Sequence, residues 1–179
     1  MAELWMSMDI DDELATNQLA YYQTLLKQKT HGDWEDPEDF HITLDYIGED
    51  ESGADKVVEA MHLFEKEIDS SMYNQYIFGN KVNRFDGGAM WVGVDNSFRL
   101  YQIHYGLEEK LKQVGYQKPK SKFVGYTPHI TMAYNTPKID FTFKMNKVAI
   151  PLSNITLWNS FKVNGQYVDN FLYRIDLNK

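Results

Sequence analysis

The sequence predicts an α+β fold in one domain spanning residues 1–179, and three observations carry that prediction. Three segments repeat apolar residues at helical spacing, and several shorter segments alternate as strands do. The last third of the chain holds strand-like runs only, broken by Pro151 and by Asn164-Gly165, a dipeptide suited to a tight hairpin. Finally, one tripeptide recurs 88 positions apart in two strand-like settings.

In chain order, Leu4–Ile10 reads as a short strand. Asp11 or Asp12 then caps a helix whose apolar positions are Ala15, Leu19, Tyr22 and Leu26. A polar, acidic loop through Gly32, Asp33, Glu35, Asp36 and Pro37 leads to a strand from Phe40 to Ile47, closed by Gly48 and Glu49-Asp50-Glu51. A second helix presents Val57, Met61, Phe64 and Ile68 on one face. Strands follow at Tyr73–Phe78 and Ala89–Val94, with Asp86-Gly87-Gly88 as turn chemistry between them. The third helix carries Leu100, Ile103, Leu107, Leu111 and Val114, and Gly115 stops it. Phe123–Tyr134 reads as loop into strand, and Phe141–Leu177 supplies three closing strands.

Composition removes several chemistries. With no cysteine in 179 residues, disulfides, thiolate metal sites and cysteine nucleophiles are impossible. No apolar run approaches the roughly 18 residues of a membrane span. The first residues lack a basic segment, and Glu3 and Asp9 interrupt any apolar stretch, so no signal peptide is expected and the expected location is cytoplasmic. A net charge of −8 argues against coating long nucleic acid. That total conceals an asymmetry: residues 1–70 hold 19 acidic and 4 basic side chains, residues 71–179 hold 7 and 14. An acidic body with a local basic pocket around Lys118, Lys120 and Lys122 suits a small anionic ligand. Alternatively, the first half is simply an acidic, solvated face.

The recurring tripeptide is His-Ile-Thr, at 41–43 and 129–131. With 5 His and 9 Thr, chance supplies roughly 0.25 His-x-Thr matches, so two are unexpected. Alternation in a strand puts His41 and Thr43 on one face and Ile42, Leu44 and Tyr46 on the other; likewise His129 and Thr131 oppose Ile130, Met132 and Tyr134. Each His-Thr pair therefore points away from the core. Two imidazoles can supply a general acid and a general base near neutral pH, and two hydroxyls can hold phosphoryl oxygens, with no metal. His31, His62 and His104 form no metal-site spacing, and no cofactor is expected.

These paired motifs, with Leu44 and Met132 as the following hydrophobic residues, resemble the 2H phosphoesterase superfamily over residues 1 to about 175. The resemblance implies a bilobal fold of two similar α/β halves, with antiparallel strands around a central cleft holding both motifs. It implies His41, Thr43, His129 and Thr131 as catalytic residues and metal-independent cleavage of phosphodiesters, typically 2′,3′-cyclic phosphates or nucleotide-derived cyclic compounds. In the RNA-processing branch a basic residue often stands three places after the second Thr, where this chain has Tyr134. In kind, the compact, acidic, aromatic-rich chain is similar to bacteriophage members that degrade cyclic oligonucleotide signals of host defence, the anti-CBASS enzymes among them. The expected partner is thus a small cyclic nucleotide or oligonucleotide, with no long nucleic acid, membrane or obligatory protein. RNA 2′,3′-cyclic phosphodiesterase activity is the alternative substrate reading, and a non-catalytic module that sequesters a nucleotide is the alternative class.

Candidate substrate contacts are Lys120, Lys122 and Arg84 for phosphate, and Tyr126, Trp158, Trp91, Trp34 and Phe85 for base stacking. Lys122 and Tyr126 lead, because the loop before His129 should lie at the cleft mouth, and Trp158 is placed to form an aromatic lid.

Overall fold

The computed structural model describes residues 2–50, 52–119 and 125–178. Nine strands and three α-helices occur among them. Strand β1 (Ala2–Asp9) leads to α1 (Glu13–Lys27), which Asp12 caps by accepting from the Ala15 amide at 2.9 Å. The acidic loop holds a two-residue strand, β2 (Asp33–Trp34), and a 3-10 turn at Pro37–Asp39. Two residues are too few to show any alternation, so the sequence reads there as loop. Strand β3 (His41–Glu49) runs on through Gly48, two residues past the expected end.

Helix α2 (Ala54–Lys66) buries Val57, Ala60, Met61 and Phe64 and ends before Ile68. Strands β4 (Tyr76–Arg84) and β5 (Met90–Asp95) form a hairpin whose first strand begins and ends later than expected. Helix α3 (Phe98–Gln113) buries Leu100, Ile103, Leu107 and Leu111. Gly115, at φ +71°, ends it, and the Tyr116 amide donates back to the Leu111 carbonyl. Strand β6 (His129–Tyr134) is followed by β7 (Val148–Pro151), β8 (Asn154–Val163) and β9 (Gln166–Asp176). Asn164 and Gly165, both at positive φ, close the β8–β9 hairpin as anticipated.

All strands belong to one sheet, in the order β7-β4-β5-β6-β3-β1-β8-β9, with β2 added beside β6. Its middle is the β6–β3 seam, so four strands lie on each side. The lobes do not follow the linear halves of the chain: β8 and β9 return to flank β1 in the first lobe, while β4 to β7 make the second. Helix α1 packs against β7, whereas α2 and α3 pack on each other and against β9 and β3. Between helices and sheet lies one continuous apolar core, to which Leu4, Met6, Met8, Ile42, Leu44, Met90, Val92, Ile130 and Met132 all contribute. No helix among the described residues is long and apolar enough to cross a membrane.

Gly106, midway along α3, shows how closely the helices meet. A Cβ there would lie 2.5 Å from the Phe64 ring of α2. An exposed helical Gly→Ala change gains about 1 kcal/mol, but overpacking costs about 1–3 kcal/mol. Gly106→Ala should therefore lower unfolding stability in urea; a stabilised variant would show that α2 and α3 are not in this contact.

Candidate active site

Strands β3 and β6 pair antiparallel through Ile42 and Ile130, the middle residues of the two His-Ile-Thr motifs. Both isoleucines are fully buried on the helix side. Antiparallel pairing about them sets His41 across from Thr131 and Thr43 across from His129. All four side chains share the opposite face, where each is only partly buried. Facing pairs of this kind stand about 5 Å apart at Cβ, and the diagonal His41–His129 separation is about 7–8 Å. The sequence-derived face assignment holds for these residues.

The rings are oriented alike. The His41 Nδ1 lies 2.8 Å from the Asp39 carbonyl, and the His129 Nδ1 lies 2.6 Å from the Thr127 carbonyl, in each case two residues earlier. A carbonyl can only accept, so each Nδ1 carries the proton and each Nε2 is left available to the cleft. Burial pulls the His129 imidazole below its ordinary pKa; the Thr127 carbonyl opposes this, and the like charge of His41 adds to the fall. His41 thus acts on His129 from the same face of the sheet.

Each histidine is walled by aromatic side chains. Trp5 of β1 lies 4.9 Å from His41 between ring centroids and stacks on Trp158 of β8 at 6.1 Å, with Phe171 edge-on beyond. The two indoles are pinned: Trp158 Nε1 donates to Ser7 Oγ, which donates to Asp9, and Trp5 Nε1 donates to Ser160 Oγ, which donates to Asp169. On the other side Phe85 and Trp91 stack on each other at 4.7 Å and lie 5.0 and 5.6 Å from His129. Trp158 is thus part of a fixed shelf one ring removed from His41, rather than a lid, and Trp91 borders the second motif directly.

Other expectations need correction. The Tyr126 ring stacks on His104 of α3 at 4.2 Å and meets Tyr101 edge-on, so it packs on the helix side instead of lining the cleft. His104, whose Nδ1 bonds the Leu44 carbonyl, provides a flat partner that draws the ring there. Lys118 bonds Asp45 at 2.5 Å and Glu108 at 2.9 Å. Burial alone would lower Lys118, but the two carboxylates outweigh it and hold the ammonium above its ordinary range. Arg84 donates to the Thr136 and Phe85 carbonyls and serves as a brace for the loop after β6. Trp34 packs against the core margin, under Lys27. Lys120 and Lys122 lie outside the described residues.

The tyrosines also change sides. In β3 the register against β1 skips Leu44, and in β6 the register against β5 skips Met132. Each skip is a bulge that adds one residue and reverses the following alternation. Asp45 and Ala133 consequently turn inward, while Tyr46 and Tyr134 come onto the cleft face beside Trp5 and Thr131 respectively. The Tyr134 side chain is hydrogen-bonded to Thr131.

Sequence reasoning missed Trp5 and Glu35. Trp5 was hidden among apolar strand residues. Glu35 follows β2, with its amide donating to the Met132 carbonyl at 3.0 Å and its own carbonyl held by the buried Gln23 amide at 2.7 Å. Burial raises the pKa of Glu35, and the charge of His41 opposes that rise. Among the described residues no group of three or more His, Asp or Glu is arranged to hold a metal ion.

Residues 27–159 match the family described as the 2′-5′ RNA ligase superfamily. The chain belongs to that superfamily. An RNA 2′,3′-cyclic phosphodiesterase of Thermotoga maritima is 26% identical over 129 residues, covering 72% of this chain and 67% of that protein. E. coli LigT complexed with 3′-AMP has a TM-score of 0.72 at 17% identity, covering 98% of this chain and 96% of LigT. A Thermus thermophilus protein gives 0.74 at 16% identity, covering 98% of this chain and 97% of that one. The architecture is shared with these LigT-like 2H phosphoesterase structures over nearly the whole chain.

Two outcomes test the site's electrostatics. In NMR titration His129 should turn protonated below pH 6.5, and His41→Gln should shift that transition upward by removing a neighbouring positive charge; no upward shift would separate the rings. Lys118→Ala should cost about 3 kcal/mol by stranding the buried Asp45 carboxylate. Activity per folded molecule should survive, whereas a phosphate-binding lysine would lose it.

Proposed function

We propose that the cleft hydrolyses a nucleotide phosphodiester without a metal, with His129 as general base, His41 as general acid, and Thr43 and Thr131 holding the non-bridging phosphoryl oxygens. The carrying observation is the Ile42–Ile130 pair, which sets both His-Thr pairs on one face with both Nε2 atoms open to the cleft. The roles of the histidines follow from their surroundings. Burial keeps His129 in the neutral form a base requires, between Phe85 and Trp91. That leaves His41, its Nδ1 engaged by the Asp39 carbonyl and its Nε2 open to the cleft, to supply the proton.

On a 2′,3′-cyclic phosphate, His129 Nε2 takes a proton from water as the water oxygen bonds to phosphorus. One ring P–O bond breaks, His41 Nε2 protonates the departing ribose oxygen, and a phosphomonoester results. The first motif's histidine then regains a proton and the second's loses one, so the cycle closes without other reactants. The Thermotoga relative's name supports this substrate.

A second substrate reading draws on the aromatic walls. Trp5 and Trp158 flank one histidine, Phe85 and Trp91 the other, so a base can stack on either side of a central phosphate. That arrangement suits a cyclic oligonucleotide, in which a free 2′-hydroxyl beside the scissile bond attacks and leaves a 2′,3′-cyclic end. Such an enzyme would work in the cytoplasm, as a phage product degrading immune signals. A sequestering module would use the same walls but leave its ligand intact.

Incubation with 2′,3′-cyclic mononucleotides, cyclic dinucleotides and cyclic trinucleotides, with EDTA present and products read by mass, separates these readings. Turnover should persist in EDTA, and His41→Ala or His129→Ala should reduce kcat by about 10²–10⁴-fold. Loss of activity on chelation would overturn the mechanism, and intact ligand after long incubation would favour sequestration.

A further inference from the structure

One carboxylate beside His41 takes no part in the bond-making and bond-breaking steps above. Glu35 extends from β2 beside β6, and its backbone is clamped at both ends: the amide to the Met132 carbonyl, the carbonyl to Gln23. Trp34, one residue earlier, pairs with Ala133 and packs against the core margin. Alternation therefore sends Glu35 to the cleft face, next to Thr131 and Tyr134. The charged and titratable groups that act on it come from four directions: His41 of β3, Tyr134 of β6, Asp36 and Asp39 of the 3-10 turn that follows it, and Asp169 of β9. Asp36 caps that turn, and Asp169 accepts from Ser160, so both have structural duties. The hydrogen bonds of Glu35 are made by its backbone, and its half-buried carboxylate acts electrostatically on His41 and Tyr134.

We propose that Glu35 is a specificity-determining carboxylate that restricts the cleft to singly charged phosphodiesters and repels phosphomonoesters, including the product of the reaction. This rests on the phosphodiesterase reading of the same cleft. A diester carries one negative charge, whereas a monoester carries close to two above its second pKa of about 6. A carboxylate in a poorly solvated cleft penalises the second charge far more than it would in water. The described donors on its side of the cleft are neutral hydroxyls, Thr131 and Tyr134, bonded to each other so that one of their two protons stays free for a ligand oxygen. Neutral donors satisfy the non-bridging oxygens of a monoanion without attracting a dianion. The polar group three residues after Thr131 and the carboxylate beside it thus act in the same direction. Hydrolysis of a cyclic phosphate raises the ligand's charge by one unit, and Glu35 turns that change into product release.

Acid weakens the discrimination from both partners. Burial raises Glu35, so it neutralises earlier on acidification than an exposed glutamate, and the monoester loses its second charge in the same direction.

The test compares inhibition constants for nucleoside 2′- and 3′-monophosphates with that for a 2′-O-methyl dinucleoside monophosphate, an uncleavable diester of constant charge. At pH 8 the monoester-to-diester ratio should fall at least tenfold in Glu35→Gln relative to the unaltered protein, and in the latter it should also fall from pH 8 to pH 5. If Glu35→Gln does not fold, Glu35→Ser removes the same charge and takes its place. A variant that still turns over cyclic substrate with an unaltered ratio overturns this role alone. Failure of the unaltered protein to cleave any nucleotide diester would instead bring down the phosphodiesterase reading, and this role with it.

Discussion

The arrangement depends on one cross-strand contact, Ile42 against Ile130, at the seam where the two lobes meet. Both side chains are fully buried, and both lie between a histidine and a threonine that must stay out. A slip of one residue on either strand would bury an imidazole and expose an isoleucine, at the cost of the apolar burial of Leu44 or Met132 as well. The hydrophobic pattern thus enforces the geometry of the polar one. Little backbone pairing is needed there, because β1 holds β3 and β5 holds β6 from outside.

The bulges at Leu44 and Met132 are the second constraint. They let each strand carry an active half and a structural half. Before the bulge the alternation serves the cleft; after it, Asp45 and Ala133 face the helices while the tyrosines face out. Asp45 and Ala133 are where the two halves part company. On the first side the inward position is a carboxylate, held up in pKa by burial, with Lys118 bonded to one of its two oxygens and His104 and Glu108 beside them. On the second it is a methyl group against Met90. Helix α3 serves the charged side, and its imidazole also claims the Tyr126 ring.

Among the described residues, the electrostatics around the two histidines are unlike a simple basic phosphate pocket. Two cations that looked available in the sequence are engaged elsewhere, Lys118 with carboxylates and Arg84 with carbonyls. Carboxylates approach His41 instead, while aromatic rings surround His129. Two imidazoles identical in sequence context therefore sit in different media. Under the proposed mechanism, the burial around His129 suits it to accept a proton. The strands β8 and β9, which cross back to flank β1, carry Lys162 and Arg174 against Asp169 and Asp176, so they leave the net charge beside β1 unchanged.

The sequence by itself determined the three helices, the strands other than β2, the face of each His-Ile-Thr motif and the chemistry those residue types allow, since periodicity and residue type are local properties. It marked His41, Thr43, His129 and Thr131, and the Asn164-Gly165 hairpin, because each shows within a few residues. Only the tertiary structure decided what stands beside them. Trp5 reaches His41 through β1–β3 pairing, and Glu35 reaches the cleft through a two-residue strand that no pattern could announce. Tyr46 and Tyr134 change sides at bulges, which arise where two registers are reconciled and leave no mark in either strand read alone. Long polar side chains such as Lys118 and Arg84 choose partners by proximity in space, so their roles follow from the folded neighbourhood and not from their place along the chain.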